Sequence, residues 1–291
     1  MNKYLSLIRP WQWVKNLFIL LPAFFAGKIF SADTAPALIW AILAFCLISS
    51  SIYCLNDIID SDADARHPVK CRRPIASGAV SKTAAYVLMA VLAGVAAAIV
   101  LWQFSPIPAA GAVIAAYFIM NCLYCLWLKH HAIVDVFCIA LGFVFRVILG
   151  GIVCSIWLSP WIVCMTFLIA LFLAMAKRRD DVLLLVNKGC RTRENISRYN
   201  LAFLDLTLGI VGAVTMVCYI IYSVQPDVEA RLGSHYVYVS SIFVLAGIFR
   251  YLQLTLVDER SSSPTKILLT DRFIQVCIIL WIAFFAVILY A

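Results

Sequence analysis

Nine apolar runs separated by polar breaks set the pattern of this chain. They fall near residues 12–30, 36–56, 82–103, 108–128, 132–153, 158–176, 199–223, 236–257 and 268–290. Each is close to the roughly 20 residues that an α-helix needs to cross the hydrocarbon core of a bilayer. The expectation is an all-α polytopic membrane protein, with nine transmembrane helices forming a single domain over residues 1–291. Composition agrees, since 64% of residues are hydrophobic, only 13% are charged, and the mean hydropathy is +0.98. A soluble core does not reach such values. The start does not read as a cleaved leader, because Trp11, Trp13 and Lys15 interrupt it and no small-residue cleavage site follows.

The breaks between the runs are unequal. The two long ones, 57–81 and 177–198, follow the second and sixth runs, whereas the alternate breaks are short. Most of the 23 Lys and Arg fall on the side of the long breaks; Lys28 and Arg231 lie on the other side, and Arg146 and Arg250 lie within spans. Cytoplasmic loops are enriched in Lys and Arg, so the N-terminus is expected inside and the C-terminus outside. The net charge of +8 then reflects topology in a cell inner (plasma) membrane, with lipids as surroundings and no nucleic acid as partner. Function is expected on the inner face. The 11 cysteines are scattered through the apolar runs as small hydrophobes. Cys122 and Cys125 form a C-x-x-C inside a predicted span, without His or Cys neighbours that would make it a metal or redox site.

Residues 56–78, NDIIDSDADARHPVKCRRPIASG, hold four of the 15 acidic residues. Asn56, Asp57, Asp60 and Asp64 read N-D-x-x-D-x-x-x-D. If the preceding helix continues to Asp64, the spacing puts all three carboxylates on one face. Stacked like charges call for a cation, and a hard divalent ion with oxygen ligands fits. Arg66, His67, Lys70, Arg72 and Arg73 follow closely. Carboxylates and cations side by side suit a metal-bridged diphosphate, which can take metal on one side and Arg or Lys on the other. A solvated loop at the membrane boundary would also be charged. The ordered spacing, with Pro68, Pro74 and Gly78 shaping the loop, favours a site.

Arg146 sits within IALGFVFRVILGG, at a depth where a bare charge costs about 2.5–3.5 kcal/mol. It should face a partner or a wet cavity, either Asp135 three turns earlier or a bound anion. The second long break opens with Lys177, Arg178, Arg179, Asp180 and Asp181, and its apolar piece at 182–186 reads as a surface helix or a cap over a cavity. Lys129, His130 and His131 read as an inner-loop positive cluster, and Lys266, Asp271 and Arg272 as helix-end charges beside a turn at 261–264.

The N-D-x-x-D-x-x-x-D after the second run resembles the first aspartate motif of the UbiA superfamily of intramembrane prenyltransferases. The likeness extends to one branch, the decaprenyl-phosphate phosphoribosyltransferases. R-P-W-Q-W-V-K-N at 9–16, H-P-V-K-C-R-R-P-I-A-S-G at 67–78, D-x(10)-R at 135–146, K-R-R-D-D at 177–181 and S-P-T-x(5)-D-R at 263–272 are similar to that branch and span nearly the whole chain. The wider superfamily carries a second D-x-x-x-D where this chain is rich in Lys and Arg. The branch would have Glu at Asp181; aspartate keeps the charge and shortens the reach.

The resemblance implies a UbiA-like bundle, a Mg2+ cofactor, phosphoribosyl pyrophosphate as donor and a polyprenyl phosphate as acceptor. Asp57, Asp60 and Asp64 would hold the metal and act in catalysis, with Asn56 orienting them. Lys70, Arg72 and Arg73 would clamp the donor phosphates. Lys177 and Arg178, with Arg146, would receive the lipid phosphate, and Lys15 and Asp181 complete the implied substrate contacts. Prenyl transfer to an aromatic acceptor is the competing enzymatic reading, and a lipid transporter the non-enzymatic one.

Overall fold

The computed structural model describes residues 3–66, 70–189, 194–259 and 264–290. His67 and Pro68 of the polar stretch, and residues 261–263 of the expected turn, lie outside them. The described residues are helical throughout their regular structure: α1 (Lys3–Ile8), a 3-10 helix (Pro10–Leu20), α2 (Leu21–Phe25), α3 (Ala35–Ile59), α4 (Ser61–Ala65), α5 (Lys82–Gln103), α6 (Pro108–Leu126) and α7 (Val134–Val153). The chain continues through α8 (Pro160–Lys188), α9 (Leu201–Ser223), α10 (Pro226–Leu232), α11 (Ser241–Leu256), α12 (Pro264–Thr270) and α13 (Arg272–Tyr290). Eight helices among the described residues are long and apolar enough to cross a membrane. They coincide with the second to ninth apolar runs, and the protein is a multi-pass membrane protein.

The first run departs from expectation. It is no continuous α-helix but a 3-10 helix followed by the short α2. Pro10 and Pro22 explain the break: each lacks the N–H that an α-helix needs, and each is tolerated only in a first turn. Drawn out at about 2 Å per residue, the 3-10 helix with α2 still reaches at most about 30 Å, the thickness of a bilayer core.

The chain forms two compact units, Met1–Leu158 and Ser159–Ala291. In the first, α3 and α7 are central, with 61% of each apolar window buried, against 17% for α5 and 22% for α6. Phe45, Ile48 and Ile52 of α3 meet Ile114 and Tyr117 of α6, Leu149 and Val153 of α7, and Ile19 of the 3-10 helix. Val87, Val91 and Val95 form an exposed stripe along α5. That stripe suits acyl chains, against which apolar side chains lose nothing.

In the second unit α8 packs on α9, α9 on α11, and α11 on α13. The break expected at 177–198 is shorter than the sequence suggests. Helix α8 continues through Lys177–Asp181 and the apolar piece at 182–186, which is neither a surface helix nor a cap but the end of α8. Lys, Arg and Leu are good helix formers and carry it on. It stops where Gly189 takes a left-handed φ of 62° and donates its N–H to Leu185 O at 2.9 Å.

Asp271 caps α13, accepting the Ile274 N–H at 2.9 Å, and accepts two hydrogen bonds from Arg250 of α11, the shorter at 2.8 Å. The helix-end charge is thus a tie between two helices. The bond from Arg250 holds the Asp271 carboxyl below the usual aspartate value, the backbone N–H adding to it. A group depressed in the folded state stabilises the fold above its unfolded pKa and loses that contribution as pH falls through the folded value. Asp271→Ala is therefore expected to lower thermal stability in detergent at pH 7 by about 1 kcal/mol, the worth of a lost cap. The difference from the parent should shrink below pH 4, which parallel melting curves would check.

Candidate active site

The last turns of α3 present Asn56 and Asp57, and α4 presents Asp64. The single continuous helix imagined from the spacing is absent, because Asp60, with φ −83° and ψ 0°, breaks the chain between α3 and α4. The carboxylates are gathered by cations instead of by helical stacking. Arg9 Nη2 donates to Asp57 Oδ1 at 2.5 Å, and Arg73 Nη1 bridges Asp57 Oδ1 at 3.2 Å and Asp64 Oδ2 at 2.6 Å. Lys129 Nζ pairs with Asp60 Oδ1, while Asn56 Nδ2 donates to Asp60 Oδ2 at 3.1 Å.

Local sequence explains how Arg73 returns to α3. Ile75 and Val80 are buried against Leu7, Cys54 and Ile58, so two apolar anchors pull the loop down. The loop turns through Gly78, whose φ of 74° suits a residue without Cβ. Arg9 is placed by a different device. It stands between α1 and the proline that opens the 3-10 helix, with a left-handed φ of 52°. Ser50 fixes the chain on both sides, donating to Ile8 O at 2.8 Å and accepting from Trp13 Nε1 at 3.0 Å. The guanidinium lies 5.1 Å from the Tyr53 ring centre.

Asp57 and Asp64 are buried, at 2% and 4% exposure. Burial pushes the Asp64 carboxyl above the ordinary aspartate value, and Arg73 pulls against it. Asp57 Oδ2 is buried without a hydrogen-bond partner, which is costly for a carboxylate oxygen unless something cationic comes to it. Among the described residues no three His, Cys, Asp or Glu side chains converge on one metal position. Even so, the donors here are carboxylate oxygens, which hard divalent ions take, and among the described residues Asp57 Oδ2 is left without a partner. The residues fit such an ion.

Deeper in the first unit, Arg146 is buried at 5% exposure. Its Nε donates to Asn16 Oδ1 at 2.8 Å, Nη1 to Gly142 O at 2.7 Å and Nη2 to Tyr117 Oη at 3.3 Å. Phe45, Tyr117 and Phe143 surround it with ring centres at 4.7, 5.2 and 5.4 Å. Asp135 is not its partner, and among the described residues no carboxylate pairs with it. Among the described residues its acceptors are neutral, and the three aromatic faces are what offset the charge. Lys15 is electrostatically close to both Arg146 and Arg9.

Of the remaining basic residues, Lys70 is close enough to Asp64 to favour its charged form. Arg72 is exposed and makes no ion pair among the described residues. In the second unit Arg178 is fully buried and donates to Asp181 Oδ2 at 3.0 Å. Arg179 donates to Asp205 Oδ1 at 2.6 Å and to Thr255 O at 2.7 Å, tying α8 to α9 and α11. Arg9 and Lys129 are the carboxylate partners that sequence reasoning missed. The one local signal for Arg9 was a cation just before a proline; for Lys129 there was only a positive cluster.

Comparison with known proteins decides the family. The profile of the UbiA prenyltransferase family matches residues 17–274. The chain belongs to this family. Among curated UbiA relatives, decaprenyl-phosphate phosphoribosyltransferase of Mycolicibacterium smegmatis is 33% identical over 94% of this chain and 88% of that protein. The protein of the same name from Mycobacterium tuberculosis is 31% identical over 95% of this chain and 90% of its own length. In three dimensions a UbiA homologue from Archaeoglobus fulgidus, solved with GPP and Mg2+, superposes with a TM-score of 0.71 over the whole of both chains at 17% identity. A digeranylgeranylglyceryl phosphate synthase gives 0.67 at 16% identity over 99% of this chain and 98% of that one. These structures share the UbiA fold.

Proposed function

We propose that this UbiA-family protein transfers a 5-phosphoribosyl group from phosphoribosyl pyrophosphate to a polyprenyl phosphate, releasing pyrophosphate. The observation that carries the reading is similarity over nearly the full chain to proteins named for that reaction. The site geometry supports it, with three aspartates and their cations at one end of α3 and, deeper in the same unit, a buried Arg146 that pairs with no carboxylate among the described residues.

In this reading Asp57, Asp60 and Asp64 would hold a magnesium ion, with Asn56 orienting Asp60. A bound Mg2+ supplies charge to a leaving pyrophosphate and holds it in place. Arg73, with Lys70 and Arg72 on the same loop, takes phosphate oxygens of the donor and stabilises the charge that develops as the ribose C1–O bond breaks. Lys15 and Arg146 receive the acceptor phosphate. In the second unit Lys177, Arg178 and Asp181 are proposed as substrate-binding residues, Arg178 acting by orienting Asp181. The acceptor is already an anion, so no general base is needed, and positioning two polyanions that repel each other is most of the task.

We read the chain as a single UbiA-like domain, a view supported by a family profile that runs through both units. The distribution of Lys and Arg supports an N-terminus inside, a C-terminus outside, and a site facing the cytoplasm of a cell inner (plasma) membrane. Purified protein in detergent should move label from radiolabelled phosphoribosyl pyrophosphate into a polyprenyl phosphate lipid phase, and chelation of magnesium should stop it. A prenylated aromatic product from prenyl diphosphate, with no labelled lipid, would replace this reading by the aromatic one.

A further inference from the structure

We infer that Arg9, Arg73 and Lys129 are exchangeable counterions of the aspartates, so that a divalent ion and a pyrophosphate group enter the site together rather than the ion first. This rests on the reading of Asp57, Asp60 and Asp64 as a metal–diphosphate site. Three carboxylates face three cations, each pair in direct contact. The charges of these six side chains cancel, Lys70 adds further positive charge near Asp64, and the cluster is largely enclosed, with side-chain exposures of 1% to 29%. A bare divalent ion added to such an enclosed cluster brings its full charge against three cations at short range, which an interior of low dielectric penalises. A pyrophosphate entering with the ion restores the balance, because its oxygens accept the cations that the ion displaces.

The geometry provides for such an exchange. Among the described residues Asp57 Oδ2 has no hydrogen-bond partner, so it is the carboxylate oxygen left for an ion once the buried cluster opens. Asp57 Oδ1 carries both Arg9 and Arg73, and these must turn away for the carboxylate to bind metal with both oxygens. Arg9 is suited to turning. Its backbone is clamped by Ser50 on both sides, while its guanidinium is held by one carboxylate oxygen and the Tyr53 face. The left-handed backbone is unfavourable for a residue with a Cβ, and a site that keeps such a residue uses it for placement. Lys129 stands on a separate turn and reaches Asp60 across the unit, so the two ends of the cluster can open independently.

The test is Mn2+ binding to the full chain in detergent, followed by electron paramagnetic resonance with and without inorganic pyrophosphate. Ion held by pyrophosphate in solution is subtracted. In the parent protein, Mn2+ alone should bind weakly, and pyrophosphate should tighten it by tenfold or more. Arg9→Gln and Lys129→Gln should each tighten Mn2+ alone by about tenfold, the scale of removing one nearby charge, and so narrow the effect of pyrophosphate. Two variants on separate elements guard against one that fails to fold, as judged by gel filtration. Mn2+ binding that ignores pyrophosphate and both substitutions would overturn the inference and leave the metal site standing. No Mn2+ binding under any condition, or binding undiminished in Asp57→Asn, would remove the metal reading itself.

Discussion

Asp57→Asn is expected to lower phosphoribosyl transfer by about a hundred- to a thousandfold, the range seen when a group that stabilises developing charge is removed. The side chain keeps its shape, so packing around it is preserved. What is lost is the charge on the most buried of the three carboxylates, which among the described residues is the one anion that both Arg9 and Arg73 contact. Arg73 keeps Asp64, but Arg9 loses its one ion pair among the described residues. The stability cost should therefore stay within about 1–3 kcal/mol. Transfer rates and melting curves on the same preparation separate the two effects. A variant that melts near the parent and still transfers at parental rate would show that Asp57 is a structural anchor for Arg9 and nothing more.

Gly150→Ala is expected to have the largest effect on the fold. A Cβ at this position of α7 would lie 2.0 Å from the backbone oxygen of Ile19 and 2.9 Å from its carbonyl carbon. Neither atom can rotate away, so the 3-10 helix must leave α7. Overpacking a tight core costs about 1–3 kcal/mol when side chains can adjust, and a backbone clash belongs at or above the upper end. The same segment carries Asn16, which holds Arg146, and begins beside Arg9. Transfer should fall together with the melting temperature. Gly94→Ala is the control, since nothing lies within 4 Å of the added carbon; there alanine should gain about 0.5–1 kcal/mol through its better helix propensity. Melting curves of the two variants in one detergent would test the contrast, and equal behaviour would mean that the contact between the 3-10 helix and α7 is looser than described.

Much of this protein could be read locally. The apolar run at 82–103 coincides with α5 at both ends, because Ser81 caps it by accepting the Ala84 N–H and polar residues flank it. The order of Asn56, Asp57, Asp60 and Asp64 pointed to a carboxylate site. Arg146 stood out as a charge at a depth that demanded neighbours, although the choice between Asp135 and an anion stayed open. Hydropathy counts the cost of moving each residue out of water, and over 20 residues that cost dominates every other term. Span positions follow from it, with little dependence on tertiary detail.

Which groups meet across the bundle was another matter. Arg9 reaches Asp57 across 48 residues and Lys129 reaches Asp60 across 69. No local pattern encodes such pairs, since they depend on how α1, the 3-10 helix and α6 pack around α3. Arg146 met not Asp135 but Asn16, Tyr117 and three aromatic rings, because the broken first segment lies against α7. The break itself was signalled by Pro10 and Pro22, which an apolar run alone does not reveal. Helix α8 ran on past its charges to Gly189 because Arg179 found Asp205 and a backbone carbonyl on neighbouring helices. The sequence by itself determined where the long apolar helices lie and which aspartates share one polar stretch. Only the tertiary structure decided which cations neutralise them, because ion pairing depends on distance in space and the chain pattern records distance along the backbone.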